Sequence, residues 1–452
     1  MWFNLAKTGY SHYSLGALIL LTTVACWAGG PSVRVVTVHN AAASQPTKGH
    51  AYFKPQPAEV RRMVDAGIRR WTDQDTSAAG WRTLISPQDI VGIKVNAAPG
   101  PVIGTRPSVA RAVASALIDA GIPKKNIVIW DKFRDELHRS GFFRVGRDLS
   151  VEVEDTMRTG FEQHIHHTQA LVAPLERGDL EYGKLKYSPR SHLTRLVSRR
   201  FTRIIQISPL LYHSGAGVDG CLHGLAMGSV DNSRRFRHLK VHLDNAVPAI
   251  HRMVVQQGLL ADGDYGNQLQ KAKGSLKGLV PPGVTKEYSF YYEAEDGENA
   301  LPPLRALSKA FSDAKEKKPG QVTQVIIVSP DEKYDWQVSF HPDGAAEYMT
   351  TQPKACLHIV DALLCQFSGG DQLRLQYTAV MNELRFSSDP VALDVLSLAD
   401  IEQNARAARL NLKSLNRDIC RYAALLNLGV DNPDLIKVHR FSLPAVFQEN
   451  RE

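Results

Sequence analysis

The stretch that decides the fold is "DIVGIKVNAAPGPVIGTRPSVARAVASALIDAGIPKKNIVIWD", which runs from Asp89 to Asp131. Its first residues, 89–96, predict a buried strand, and residues 126–131 predict the next one. Residues 107–121 between them predict a helix, with a proline in its first turn and a glycine at its end. A strand, a helix and a strand in this order form a βαβ unit, whose two strands lie parallel in one sheet.

The same alternation continues outward from this unit in both directions. Residues 33–38 predict a strand, residues 57–71 a helix, and residues 236–257 a helix interrupted at Pro248. The pattern resumes at residues 356–364. We therefore predict an α/β fold with a largely parallel sheet flanked by helices.

An inserted segment is predicted between the two parts of this fold. From residue 258 to residue 353 the composition shifts to glycine, proline, lysine and glutamate, with a predicted helix at 301–315 and a predicted hairpin at 324–340. We predict a smaller α+β subdomain here, inserted between core segments 31–257 and 354–452.

Composition and charge limit the classes of function. The chain has 452 residues, 43% of them hydrophobic, which is enough for one large or two ordinary globular domains. The formal net charge of +8 favours small anionic ligands or an anionic surface as a partner and does not require nucleic acid. Basic runs at 190–203 and 233–240 flank a glycine-rich stretch, either as solvated surface or as a rim that attracts anions.

The N-terminus has the pattern of an export signal. Lys7 precedes the apolar run at 15–30, so residues 1–28 are predicted to be a signal peptide or a lipoprotein signal, with Cys26 as the residue that would be lipidated. Cleavage after Ala28 and an uncleaved anchor are the alternatives. We expect an exported protein, periplasmic or attached to a membrane by its N-terminus.

The other cysteines and a histidine cluster do not predict a metal site. Cys221, Cys356, Cys365 and Cys420 match no zinc or iron–sulfur spacing, and the second and third of them are either paired or, as we favour, buried free thiols. The pair His164 and His166 could bind zinc or copper, but no third ligand is recognisable, so exposed histidines are favoured.

The stretch "RIIQISPLLYHSGAGVDGCLHGLAMGSVDN", residues 203–232, is the glycine-rich segment. The strand before its glycines is predicted to end near Ile207, at Ser208 and Pro209, whereas a dinucleotide fingerprint requires a strand directly before the first glycine. Its G-x-G-x-x-G spacing is also not followed by the second strand that such a fingerprint requires. Its glycines would instead let backbone amides approach an anion, and a helix beginning at about Leu222 would point its free N–H groups the same way. His213 and His223 are candidates for proton transfer or metal binding, or are structural histidines with satisfied hydrogen bonds.

Polar residues also follow the predicted parallel strands. Lys94 and Asn96 end one strand and Asp131 ends the next, at the edge where ligands bind in open α/β sheets. A structural ion pair between the lysine and the aspartate is the alternative. Thr105 and Arg106 precede a helix and would bind a carboxylate or phosphate, or serve only as a cap.

A similar ambiguity holds near the end of the chain. Asp389 precedes Pro390 in "SSDPVALD" and is either a helix cap or a substrate ligand, with the capping role favoured. Asp394 lies one turn onward and could face the cleft.

Five blocks of sequence carry a family resemblance. In order they are the stretch from Asp89 to Asp131, "HSGAGVDGCLHGLAMGSV", "IVDALLCQFSGGDQ", "SSDPVALDVLSL" and "ALLNLGVDNPDLIKV". They resemble successive motifs of the bacterial domain-of-unknown-function family 362. Many members carry a ferredoxin-like cysteine module, which this chain lacks, so the implied electron transfer is weakened. The first block is more distantly similar to the N-terminal domain of nickel-pincer lactate racemases, whose cofactor-bearing lysine has no counterpart beside His223.

These observations lead to one main hypothesis and two alternatives. The main hypothesis is an enzyme that binds a small anionic substrate in a glycine-rich cleft and uses histidine acid–base chemistry. The alternatives are a redox or iron–sulfur-associated accessory protein and a non-catalytic ligand-binding lipoprotein. No cofactor is assigned. The predicted catalytic residues are His213, His223 and Asp131, and the predicted substrate-binding residues are Lys94, Asn96, Thr105, Arg106, Gly215, Gly217, Gly220 and Asp389.

Overall fold

The computed structural model describes residues 32–46, 53–169, 190–236, 240–256, 354–370, 372–410, 412 and 415–444, and five short strand segments between residues 259 and 350. The predicted signal at 1–28 and the predicted helix at 301–315 lie outside the described residues. Within the described residues, no helix combines the length and the apolar character that crossing a membrane would require.

The secondary structure follows the chain as predicted for an alternating fold. The strands are β1 (Val33–His39), β2 (Ser44–Pro46), β3 (Phe53–Pro55), β4 (Val91–Lys94), β5 (Ile127–Asp131), β6 (Glu152–Asp155), β7 (Phe161–Thr168), β8 (Arg190–Thr194), β9 (Arg203–His213), β10 (Gly217–Val218), β11 (Leu259–Leu260), β12 (Glu287–Tyr291), β13 (Gln324–Val328), β14 (Asp335–Phe340), β15 (Ala346–Thr350), β16 (Ala355–Gln366), β17 (Thr378–Ser387) and β18 (Ile436–Ser442). The helices are α1 (Pro57–Thr72), α2 (Ser77–Leu84), α3 (Gly100–Ile103), α4 (Pro107–Asp119), α5 (Arg134–Arg139), α6 (Phe142–Leu149), α7 (Thr156–Thr159), α8 (Cys221–Gly228), α9 (Lys240–Gln256), α10 (Pro390–Ala407) and α11 (Asp418–Leu425).

One large mixed sheet organises the fold. Its strand order is β18-β1-β17-β16-β9-β4-β5-β6, with β10 paired to the end of β9. Strands β16, β9, β4, β5 and β6 run parallel to one another, whereas β17 runs antiparallel to β16 and β1. The predicted α/β class and largely parallel sheet are confirmed.

Helices cover both faces of this sheet, so its central strands are apolar on both sides. Every residue of β4 and β5 is buried, as expected where helices pack on both faces of parallel strands. One core cluster joins the sheet to helices α1, α2, α4 and α6, and the other joins it to α8, α9, α10 and α11. The apolar spacing of "PSVARAVASALID" in α4 supplies a wide stripe of buried valine, alanine and leucine to the first cluster.

Five short strands within segment 258–353 form a separate sheet with the order β11-β15-β14-β13-β12. The predicted hairpin at 324–340 is confirmed, because β13 and β14 pair antiparallel. The proposed boundaries of the inserted subdomain remain a prediction.

Two details differ from the expectation based on sequence. Strand β9 continues to His213 rather than ending near Ile207, and its pairing with β16 shifts register after Pro209, which cannot donate a ladder hydrogen bond. Pro248 lies inside α9, which continues past it.

Cys356 and Cys365 both belong to β16 and are free thiols. At about 3.3 Å per residue, they lie about 30 Å apart, far beyond disulfide reach.

Candidate active site

A cavity of about 160 Å³ lies where β4 and β5 end, beneath helix α8. The carboxyl ends of parallel strands are where open α/β sheets bind ligands. The cavity is lined by Lys94, Asn96, Ala98, Asp131, Lys132, Phe133, Glu136, Asp219, His223, Gly224, Met227 and Gly228. Four predicted site residues therefore meet at one place, namely Lys94, Asn96, Asp131 and His223.

An aspartate orients the histidine of this cavity. Nδ1 of His223 lies 2.7 Å from Oδ1 of Asp219, and the side-chain amide of Asn96 donates to Oδ2 of the same carboxylate at 2.7 Å. An ionised carboxylate only accepts hydrogen bonds, so Nδ1 of His223 carries the hydrogen. In the neutral ring Nε2 then has a lone pair that can accept a proton. The arrangement of His223 is that of a general base with its orienting carboxylate.

The electrostatics keep this aspartate ionised. Burial alone would raise the pKa of Asp219, but the charge that His223 can carry, together with hydrogen bonds from His223 and Asn96, holds that pKa well below its ordinary range. Asp219 was not predicted from the sequence. Its spacing of four residues before His223, one helical turn, is the signal that could have found it.

His213 lies behind His223 rather than in the cavity wall. The two ring centroids are 4.4 Å apart, with an angle of 41° between the ring planes. Nδ1 of His213 accepts hydrogen bonds from the backbone N–H groups of Gly215 and Ala216, at 3.1 and 2.9 Å. Those two bonds require a lone pair on Nδ1, so they favour a neutral ring that positions its neighbour.

Lys94 and Asp131 form the structural ion pair that was one alternative, and both also line the cavity, as the other alternative requires. Lys94 Nζ lies 2.7 Å from Oδ1 of Asp131 and also donates to the carbonyl of Val95 at 2.6 Å. Oδ2 of Asp131 accepts from the backbone N–H of Ala97 at 2.7 Å. The buried pair is therefore a structural ion pair that also forms part of the cavity wall.

Glycines bring helix α8 close to this pair. A Cβ atom at Gly228 would lie 2.4 Å from Cε and 2.7 Å from Nζ of Lys94, so a side chain there would force the Lys94 ammonium to move. Gly224 lies one turn earlier and also lines the cavity. Both glycines lie in the glycine-rich segment that was predicted to form part of the cleft, but neither was assigned individually, although their spacing of four residues places them on one helical face.

The start of helix α8 already binds a carboxyl group, which belongs to a side chain of the protein. The carboxylate of Asp394 accepts the backbone N–H groups of Cys221 at 2.6 Å and Leu222 at 2.9 Å. The expectation that these N–H groups would be free to bind a ligand is therefore wrong. Gly220 permits the contact, because a Cβ atom there would lie 2.1 Å from Oδ1 of Asp394.

Substituting this glycine should therefore destabilise the fold. We expect Gly220→Ala to lower the free energy of unfolding by about 2–4 kcal/mol, through overpacking and loss of the carboxylate–helix hydrogen bonds. Gly224→Ala is the matched control, because the nearest atom to its Cβ would be at 3.4 Å. Urea unfolding measures both, and equal effects in the two variants would contradict this account of Gly220.

The buried Asp394 should also make stability depend on pH. Burial raises the pKa of Asp394 to about 7 from its ordinary 3.8, despite the opposing N–H bonds from Leu222 and Cys221. Folding therefore takes up a proton between these values, so this contribution is greatest at acid pH and is lost as the pH rises through about 7.

Asp394→Asn should remove that dependence. We expect the difference in unfolding free energy between the wild type and the variant to change with pH, by at most about 1.4 kcal/mol per unit across the window. Urea unfolding at several pH values measures it. A difference that is constant with pH would show that Asp394 keeps an ordinary pKa.

Several predicted substrate ligands are engaged elsewhere. Thr105 Oγ1 accepts from the N–H of Asn96 at 2.9 Å and donates to the carbonyl of Ile207 at 2.6 Å. Arg106 is 2% exposed, and its guanidinium lies 2.7 Å from Oδ1 of Asp361, whose Oδ2 accepts the backbone N–H of Arg106 at 2.9 Å. These hydrogen bonds hold the segment after β4 and the start of α4 against strands β9 and β16. Neither Thr105 nor Arg106 lines the cavity.

Asp389 and two of the glycines also lie outside the cavity wall. Asp389 caps α10 through the N–H of Ala392 at 2.8 Å and binds the N–H of Val430 at 2.8 Å, as its favoured capping role predicts. Gly217 has φ of +81° and packs against the backbone of Asn416. Gly215 belongs to the turn that hydrogen-bonds His213.

His166 on β7 does not have the expected exposure. His166 is 7% exposed and packs edge-on against His192, with ring centroids 5.3 Å apart, so the expectation that it would be exposed is wrong. The side chain of His164 lies outside the described residues. Among the residues that the structure describes, no group of three or more histidine, cysteine, aspartate or glutamate side chains could hold a metal ion.

Comparison with known proteins assigns the family. The family model DUF362, described as a domain of unknown function, matches residues 91–399. The match includes β4, β5, β9 and α8, and with them every side chain that lines the cavity. No curated protein matches the chain. The resemblance that the five sequence blocks indicated is therefore confirmed, and the chain belongs to the DUF362 family.

Proposed function

We propose that this protein is an enzyme that transfers a proton to or from a small substrate bearing an anionic oxygen, with His223 as the acid–base group. The observation that carries the proposal is that His223, oriented by Asp219, lines the same cavity as the buried pair of Lys94 and Asp131.

The role of His223 as a base follows from the geometry of its imidazole. Asp219 holds the tautomer in which Nε2 can accept a proton, and the ionised carboxylate stabilises the imidazolium that results. The neighbouring ring of His213 and the hydrogen bond from the amide of Asn96 limit the rotation of the Asp219–His223 pair. A positioned histidine of this kind contributes about 10²–10⁴ to a rate.

The proposed preference for a substrate with an anionic oxygen follows from the hydrogen bonds that the side chains of the cavity wall already make within the protein. Both oxygens of Asp131 and both oxygens of Asp219 accept hydrogen bonds from the protein. An ammonium group has three N–H donors, and Lys94 uses two of them on Asp131 and the carbonyl of Val95. Its third donor is suited to a carboxylate or enolate oxygen of the substrate.

The size of the cavity limits the part of the substrate that reacts. Its volume of about 160 Å³ is close to that of a protein cavity of about 150 Å³ that binds benzene. The reacting part of the substrate would therefore have roughly six heavy atoms. A larger substrate would extend from the cavity past Phe133 and Met227, which also line it.

Hydrogen exchange with solvent tests this function and can identify the substrate in the same experiment. The purified protein is incubated in D₂O with pools of small carboxylic, hydroxy, oxo and amino acids, and the pools are analysed by mass spectrometry. We expect one compound to gain deuterium at carbon or to be converted. A compound that is retained by the protein but neither labelled nor converted would instead support the non-catalytic binding alternative.

A further inference from the structure

Helix α8 begins without a cap of its own, and Asp394 of α10 supplies one. The residue before the helix is Gly220, which has no side chain to bind the first N–H groups. Oδ1 of Asp394 accepts the N–H of Cys221, and Oδ2 accepts that of Leu222. A carboxylate here also interacts favourably with the partial positive charge of a helix start. The position of the first turn of α8 therefore depends on a side chain 172 and 173 residues away.

The two N–H groups that Asp394 binds lie between the two members of the acid–base pair. Asp219 precedes the helix, His223 is its third residue, and their side chains meet at 2.7 Å. The two residues are four apart, so their side chains meet when the segment forms one helical turn. The N–H of Gly224 closes that turn on the carbonyl of Gly220, at 3.0 Å. Asp394 therefore holds the stretch of backbone that brings Asp219 and His223 together.

The charge of Asp394 also acts on this pair. Burial is the largest of the effects on the pKa of Asp394 and raises it to about 7. The charge that His223 can carry lowers this pKa, and the charge of Asp219 raises it. An interaction of this kind is reciprocal, so ionisation of Asp394 strengthens the binding of a proton by His223.

Other titratable groups surround these residues. The thiols of Cys221 on α8 and Cys420 on α11 also interact with Asp394, but burial raises the pKa of each well above its ordinary range, so both stay neutral. The ring of His213 packs against His223, and the other charged side chains of the cavity wall are Lys94, Asp131, Lys132 and Glu136. Substituting Asp394 removes one negative charge that acts on His223 and leaves these groups in place.

We infer that Asp394 is a positioning residue of the candidate active site, which fixes the first turn of α8 and, by its negative charge, strengthens the binding of a proton by His223. Asp394 does not line the cavity, so it acts through His223 and not on the substrate. The inference rests on the proposed function for its effect on catalysis, whereas its effect on the protonation of His223 exists without a substrate.

Histidine NMR on the full-length protein tests the inference without a substrate. The signal of His223 is assigned by its absence in His223→Gln and is followed against pH in the wild type and in Asp394→Asn. We expect the midpoint of the His223 titration to move to lower pH in Asp394→Asn, by about 0.3 pH unit or more, because a charge that favours the imidazolium is lost. A role of Asp394 in stability alone would leave this midpoint unchanged.

Asp389→Asn is the matched control. Asp389 is also a buried carboxylate that accepts two backbone N–H groups, but these belong to Ala392 and Val430 rather than to α8. Its substitution should move the midpoint of the His223 titration much less. Equal movement in the two variants, or no movement in Asp394→Asn, would overturn the inference.

A second measurement keeps the inference testable if Asp394→Asn does not fold. The carboxyl group of Asp394 is labelled with ¹³C and followed against pH in the wild type and in His223→Gln. We expect the pKa of Asp394 to be higher in His223→Gln, because the imidazolium that lowers it has been removed. The same pKa in both proteins would show that the two groups do not interact.

The catalytic consequence separates this inference from the proposed function. For the compound identified in D₂O, Asp394→Asn should lower kcat by up to about 10² with little change in KM, because the imidazole is misplaced while the cavity wall is intact. A midpoint that moves, in a protein that labels and converts no compound, would support the role of Asp394 and contradict the proton-transfer function alone. Labelling by the wild type with an unmoved midpoint would contradict the role of Asp394 alone.

Discussion

Replacing His223 by glutamine should lower the rate of proton transfer to the substrate by about 10²–10⁴, with a much smaller effect on substrate binding. Glutamine preserves a polar side chain of similar reach but cannot take up a proton at neutral pH. The measurement is the rate of deuterium incorporation or conversion for the compound identified in D₂O. Asp219→Asn should also slow the reaction, because an amide can hold the imidazole in the wrong tautomer.

The matched control for this experiment is another histidine bound to an aspartate. His192 Nδ1 lies 2.9 Å from Oδ2 of Asp231, and His192 does not line the candidate active site. His192→Gln should leave the rate close to that of the wild type. An unchanged rate in His223→Gln would exclude this residue as the acid–base group, and an equal loss in His192→Gln would show that the effect is structural.

Asp361→Leu is expected to lower the free energy of unfolding by about 3–5 kcal/mol, because it leaves the charge of Arg106 buried without a partner. Both side chains are almost completely inaccessible, at 2% and 0% exposure. The variant also removes the acceptor for the backbone N–H of Arg106. The midpoint of urea unfolding at neutral pH measures the loss.

Two comparisons separate the buried charge from a general effect of substitution. The double variant Arg106→Met with Asp361→Leu should recover much of the stability, because an apolar pair replaces both charges. Glu402→Gln weakens the exposed pair with Arg417 and should change stability by less than about 1 kcal/mol. If Asp361→Leu were as stable as the wild type, Arg106 would not need this partner and could again be considered as a substrate ligand.

The fold was largely predictable because its signals are local. The strand and helix patterns from residue 89 to residue 131 correspond to β4, α4 and β5, and the hairpin at 324–340 corresponds to β13 and β14. Pro209 and Pro248 were harder to interpret, since β9 and α9 continue through them. Tertiary contacts outweighed the local preference of proline at both positions.

The candidate site was predictable to the extent that topology determines it. Lys94, Asn96 and Asp131 were predicted from their positions at the ends of parallel strands, and the structure brings them to one cavity with His223. Thr105 and Arg106 are near the same strand ends in sequence but face other partners. The direction of a side chain at the end of a strand depends on what packs against it, which a local pattern does not specify.

The sequence by itself determined the α/β class, the parallel strands and the end of the sheet at which polar side chains collect, because periodicity and chain order are enough to establish these features. Only the tertiary structure decided how those side chains pair. Arg106 binds Asp361, 255 residues away, and the N–H groups at the start of α8 bind Asp394, 172 and 173 residues away. Each pairing satisfies a buried charge or N–H group, and that requirement acts between atoms that are close in space, however far apart they are in the chain.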